Sequence, residues 1–70
     1  MDETMALLLK EGIYLISIEY RGFRVSLYSF VSEFYEVFYD PAEYRIEKIV
    51  QANEDDLNKY LNRIKLLKFQ

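Results

Sequence analysis

The sequence predicts an α+β domain: a two-layer sandwich built on a four-stranded antiparallel meander, with a C-terminal helix packed on one face and a short N-terminal helix, in the order αββββα. Three observations lead there. Runs of β-branched and aromatic residues with period-two character fill the chain from Ile13 to Val50, separated only by short turn-like connections. The segment after Asn53 changes to helical spacing, with acids in its first turn and bases in its last. Apolar residues make up 51% of the 70-residue chain and aromatics 17%, which is too much for a disordered polypeptide. No linker, repeat or low-complexity tract divides it, so residues 1–70 are expected to form one small α/β domain.

Each element has its own warrant. At the N-terminal end, Asp2 or Thr4 can cap a helix that runs through Lys10, with Gly12 as a left-handed stop behind it. That helix is apolar nearly all round at Met5, Leu7, Leu8 and Leu9, which predicts burial on more than one side. The runs "IYLISIEY" and "FRVSLYSF" are joined by Arg21-Gly22, a two-residue hairpin signal. It predicts that Tyr20 faces Phe23, Ile18 faces Val25 and Ile16 faces Leu27, all on one core face. The opposite face then holds Ser17, Glu19, Arg24 and Ser26 near the turn, and Ile13, Leu15, Tyr28 and Phe30 farther away.

A third strand, Glu33 to Asp40, follows a loop around Val31-Ser32, and Asp40-Pro41-Ala42-Glu43 reads as the next turn. "EYRIEKIV" is the fourth strand, with Tyr44, Ile46 and either Ile49 or Val50 facing inward. In the C-terminal helix Asn53 is the expected N-cap and Glu54, Asp55 and Asp56 occupy the first turn, with Arg63, Lys65 and Lys68 in the last. Leu57, Leu61 and Ile64 form its apolar stripe, flanked by Tyr60 and Leu67, with Leu66 nearly opposite.

The third strand, "EFYEVFYD", poses a question of packing. It carries Phe34 and Phe38 on one side and Tyr35, Val37 and Tyr39 on the other, so large side chains point to both faces of the sheet. The C-terminal helix covers one face. The other keeps Ile13, Leu15, Tyr28 and Phe30, plus one of those two sets, an apolar area of several hundred Å² and the upper limit for a soluble monomer. Its cover is the N-terminal helix, a second copy of the chain, or another protein. A short helix screens only part of a sheet, so the expected partner is a second copy, in a homodimer. The interface is assigned to Tyr28, Phe30, Phe34 and Phe38, with Leu66 as an outlying contact; Tyr35 and Tyr39 replace Phe34 and Phe38 if the third strand has the other parity.

The sequence argues against several function classes. There is no cysteine and no histidine, which removes disulfides, thiolate metal sites and the usual general base. The serines lack an activating histidine or a G-x-S-x-G elbow, and the two glycines form no phosphate loop. Twelve carboxylates invite an acid/base reading, but Glu33, Glu36 and Glu19 read as a solvated strand edge and cross-strand ion pairs. "NEDD" lacks the spacing of a calcium loop. A net charge of −3 opposes phosphate neutralisation, so nucleic-acid binding through the sheet aromatics is disfavoured. The opening "MDETMALLLKEG" has neither a basic leader nor a span-length apolar run, so the expectation is a cytoplasmic protein without membrane partners. The chain is expected to be non-enzymatic and cofactor-free, a protein–protein interaction domain. A small acidic inhibitor or antitoxin-like protein filling a partner's basic groove is the alternative.

Overall fold

The turns set the sheet. In the computed structural model, which describes residues 3–61, helix α1 (Glu3–Glu11) precedes strands β1 (Ile13–Tyr20), β2 (Phe23–Phe30), β3 (Glu33–Asp40) and β4 (Arg45–Gln51). The short helix α2 (Glu54–Leu57) follows and runs into a 3₁₀ turn, Asn58–Tyr60. The strands pair antiparallel in chain order, which is the predicted meander. Asp2, Leu66 and the remaining C-terminal helix assignments at Arg63, Ile64, Lys65, Leu67 and Lys68 lie outside the described residues.

Arg21 and Gly22 both have positive φ, 51° and 86°, the backbone that matches the twist of a two-residue hairpin. The resulting pairs, Tyr20 with Phe23, Ile18 with Val25 and Ile16 with Leu27, are those the sequence predicts. Val31 and Ser32 make a second turn of the same kind, with φ of 50° and 65°. Two residues there pair Phe30 with Glu33, and the parity of β3 follows: Tyr28 opposes Tyr35, Leu27 opposes Glu36 and Val25 opposes Phe38. Phe34, Glu36 and Phe38 therefore share the first face with Ile18 and Val25. Tyr35, Val37 and Tyr39 share the second with Tyr28.

In the third connection the Asp40 Oδ1 accepts from the Ala42 and Glu43 amides, at 2.9 and 3.3 Å. Tyr44 closes this loop at φ 57° and is 83% exposed. It belongs to the turn and does not face inward, a correction to the sequence reading. The edge strands each carry a β-bulge, with Leu15 as the extra residue in β1 and Glu47 in β4. The first puts Tyr14 rather than Leu15 opposite Tyr28, and Ile13 opposite Ser29 on the first face. The second puts Ile46 and Ile49, three residues apart, on the second face together, while Val50 opposes Glu36 on the first.

The core lies on the first face, where Ile18, Val25, Leu27, Phe38 and Tyr60 are buried and Ile16, Tyr20, Phe23, Ala52 and Leu57 pack around them. The Asn53 cap is present: its side chain accepts from the Asp56 amide at 2.8 Å, and the Asp56 carboxylate accepts from the Asn53 amide at 2.9 Å. The 3₁₀ turn then aligns residues three apart, so Leu57 and Tyr60 point inward. Leu61, which a regular helix would place on the apolar stripe, is exposed instead.

At α1, Leu8 is buried while Leu7 and Leu9 are exposed, so the expected burial on more than one side does not occur. Gly12 is not a left-handed stop either, since Gly22 is the glycine with positive φ. Its amide continues the helix by donating to the Leu8 carbonyl at 2.8 Å. A Cβ at Gly12 would lie 2.5 Å from that oxygen and 3.3 Å from Tyr28 Cδ2, so the absent side chain lets α1 close down on the second face.

A β-branched residue in the left-handed region is costly, by about 1–2 kcal/mol on general grounds. Val31 is 77% exposed, so its side chain contributes little in return. The double substitution Val31→Asn, Ser32→Gly is expected to raise the urea unfolding free energy by about 1 kcal/mol with an unchanged slope. No gain would mean the turn is unstrained.

Candidate functional site

The two faces of the sheet are closed by different means. On the first face, Glu36 sits in a cross-strand row between Leu27 and Val50 and is 1% exposed. A buried carboxylate needs partners, and the chain after the Asn53 cap supplies them. The Tyr60 hydroxyl donates to Glu36 Oε2 at 2.7 Å, and the Lys59 ammonium forms an ion pair with the same oxygen. Lys59 also donates to the Asp56 carbonyl at 3.0 Å. Among the described residues no buried side-chain nitrogen or oxygen lacks a partner. From sequence alone Glu33 and Glu36 both read as solvated strand-edge carboxylates. Glu33 is exposed and accepts from Gln51 Nε2 at 2.6 Å, whereas Glu36 has the opposite parity and is a structural clamp.

Burial, with the adjoining Glu36 hydrogen bond, pushes the Tyr60 phenol far above its ordinary value of 10.0. The unfolded chain therefore releases this proton before the folded one. Stability that is fully present below about pH 10 is lost as pH rises beyond it. Tyr60→Phe is expected to lower the melting temperature at pH 7 and to flatten its decline between about pH 9 and 11. Equal alkaline slopes for both proteins would show that Tyr60 is not the group responsible.

The second face carries a row of rings. Tyr14, Tyr28 and Tyr35 oppose one another across three strands, ending at Gln51. Tyr14 and Tyr28 meet edge-on at 5.7 Å, and Phe30 meets Tyr35 at 6.5 Å. The neighbouring rows are polar on the hairpin side, with Ser17 and Ser26 hydrogen-bonded at 2.7 Å and Glu19 beside Arg24 at 3.8 Å. The Tyr14 hydroxyl donates to Ser17 at 2.9 Å. Val37 is buried at the centre of this face. Helix α1 covers the end of it, with Leu8 and Tyr28 both close against the bare Cα of Gly12. Exposed apolar surface remains on both flanks of that contact: Leu7 and Leu9 on α1, then Tyr14 and Leu15 at the start of β1, while Ile13, 64% exposed, lies on the first face.

The structure divides the four aromatics singled out from the sequence. Tyr28 and Phe30 lie together on the second face, half-buried, with Tyr35 and Tyr39 in the positions that the other parity assigns to them. Phe34 and Phe38 lie on the first. Phe38 is 8% exposed and packs edge-on against Phe23 at 5.7 Å, so it is core. Phe34 is 39% exposed, and its carbonyl accepts from the Ala52 amide at 2.8 Å. The exposed set at Leu7, Leu9 and Tyr14 lies outside the residues the sequence singles out. Its signal lay in the helix itself, since a short helix with one buried stripe must leave the flanking leucines out.

Comparison with protein-family models, characterised proteins and solved structures finds no match to this chain. Among the described residues no helix is long and apolar enough to cross a membrane.

Proposed function

We propose that this chain is a non-enzymatic, cytoplasmic protein-interaction domain whose first partner is a second copy of itself. The observation that supports this reading is the set of large apolar side chains left exposed from α1 into β1: Leu7, Leu9, Tyr14 and Leu15. Together they present on the order of several hundred Å², the size at which exposed apolar surface on a small protein marks an interaction site. A specific dimer needs roughly 500 Å² or more from each copy, and the half-buried Tyr28 and Phe30 at the margin of this surface extend the contact.

The geometry favours side-chain packing over continuation of the sheet. Strand β1 is an edge, but the Leu15 bulge interrupts the regular spacing of its free amides and carbonyls in the apolar half. The other edge, β4, is guarded by its own bulge and by Arg45, Glu47 and Lys48. A two-fold contact between copies of the α1–β1 surface is self-complementary and closes without leaving a free end.

Sedimentation equilibrium from about 1 µM to 1 mM is expected to show a wild-type dimer. Tyr14→Asp and Leu15→Asp, both at exposed positions, are expected to weaken it at least about tenfold while the far-UV spectrum stays unchanged. Tyr44→Asp, 83% exposed in the β3–β4 connection at the opposite end of the sheet, serves as the control. A wild-type monomer across the range would overturn the proposal.

A further inference from the structure

The first face carries a cleft at its rim that the self-association surface does not use. It opens between the β1–β2 turn, β4 and α2, has a volume of about 290 Å³, and is lined by Tyr20, Arg21, Phe23, Phe38, Lys48, Val50 and the clamp residues Glu36, Asp56 and Lys59. That volume lies at the lower end of small-molecule sites. Its floor is apolar, with Phe23 edge-on to Phe38 and Val50 partly open to solvent.

The charges around it do not balance locally. Both carboxylates are already engaged: Glu36 with Tyr60 and Lys59, and Asp56 with the Asn53 amide at 2.9 Å. Lys59 is neutralised by Glu36. Arg21 and Lys48 have no carboxylate within ion-pair distance among the described residues, where the pairs are Arg24–Glu19, Arg45–Glu47 and Lys59–Glu36. Each is held over a ring instead, Arg21 at 5.1 Å from the Tyr20 centroid and Lys48 at 4.7 Å from that of Phe38. A ring face positions a cation without cancelling its charge. In a chain whose net charge is −3, the lining of this cleft thus carries three cations against two carboxylates, and Arg21 and Lys48 are its two cations without an ion-pair partner among the described residues.

We propose that this cleft binds a small phosphomonoester with an apolar body, the body against Phe23 and Val50 and the phosphate between Arg21 and Lys48. A phosphomonoester carries close to two negative charges at neutral pH and has three terminal oxygens, so it can engage both unpaired cations at once, where a carboxylate offers only two oxygens and one charge. Arginine contributes a fork for two phosphate oxygens and lysine a point charge. The apolar floor gives an organic phosphate an advantage over the bare ion.

Phenyl phosphate is the probe, titrated into the ¹⁵N-labelled protein at low salt beside inorganic phosphate and benzoate. Saturable amide shifts centred on Arg21, Phe23, Lys48 and Val50 are expected, with an affinity at least about tenfold above either control. Arg21→Gln, Lys48→Gln in one chain is expected to lose at least about tenfold, and added salt to weaken wild-type binding. Both side chains are exposed, and the same spectrum reports whether the variant is folded. Lys48→Glu provides a second test, with binding abolished. Shifts that do not saturate, equal binding by the variants, or equal affinity for inorganic phosphate would each overturn the proposal.

Discussion

A carboxylate at the centre of a sheet face cannot be left without partners, and Glu36 is such a group. Stripping an ionised side chain of water costs several kcal/mol, which must be offset by charge and hydrogen bonds of good geometry. Strand neighbours cannot supply them, because Leu27 and Val50 flank Glu36 in its row. The phenol of Tyr60 and the ammonium of Lys59 do. The sheet thus specifies where the chain after Asn53 must lie, as hydrophobic contact alone would not. Apolar packing tolerates sliding and rotation; a two-donor contact to one oxygen does not. The capping box at Asn53 and the tightened turn at Asn58–Tyr60 follow from this demand, since both donors must reach the same atom.

The rest of the architecture divides along that line. The clamped face is closed by Tyr60 and Leu57, and its uncovered rim, between the first hairpin turn and β4, becomes a cleft whose cations lean on rings. The second face has no comparable key. It is met at one end by α1, through the buried Leu8 and the bare backbone of Gly12, while its tyrosine row ends in solvent at Tyr14. A domain of this size has a thin core, and apolar surface that the fold cannot cover itself is available for association.

Much of the fold is legible in the sequence where local chemistry announces itself. Gly22 marks the first hairpin and sets three correct cross-strand pairs, and Asn53 with its acids marks the start of α2. The parity of β3 is not announced, because Val31-Ser32 contains none of the residues that left-handed turns favour. Yet counting it as a two-residue connection places Tyr35 beside Tyr28 and Glu36 on the core face. The bulges are masked by a chain that is apolar on both faces; the three-residue spacing of Ile46 and Ile49 is their one trace. The clamp depends on parity and on a 3₁₀ turn together, so neither Glu36 nor Tyr60 stands out from periodicity. For that reason Phe38 could be assigned to an interface when it belongs to the core.

The most direct test of the clamp is a double-mutant cycle in urea unfolding with Glu36→Met and Tyr60→Phe. Any cost of leaving Lys59 without its carboxylate is common to Glu36→Met and to the double variant, so it cancels from the coupling term. If the Glu36–Tyr60 bond holds the C-terminal segment to the sheet, the coupling energy should be about 2 kcal/mol, the value of a buried hydrogen bond to a charged group. If the two substitutions are additive within about 0.5 kcal/mol, the contact is incidental and the segment is held by its apolar side chains alone.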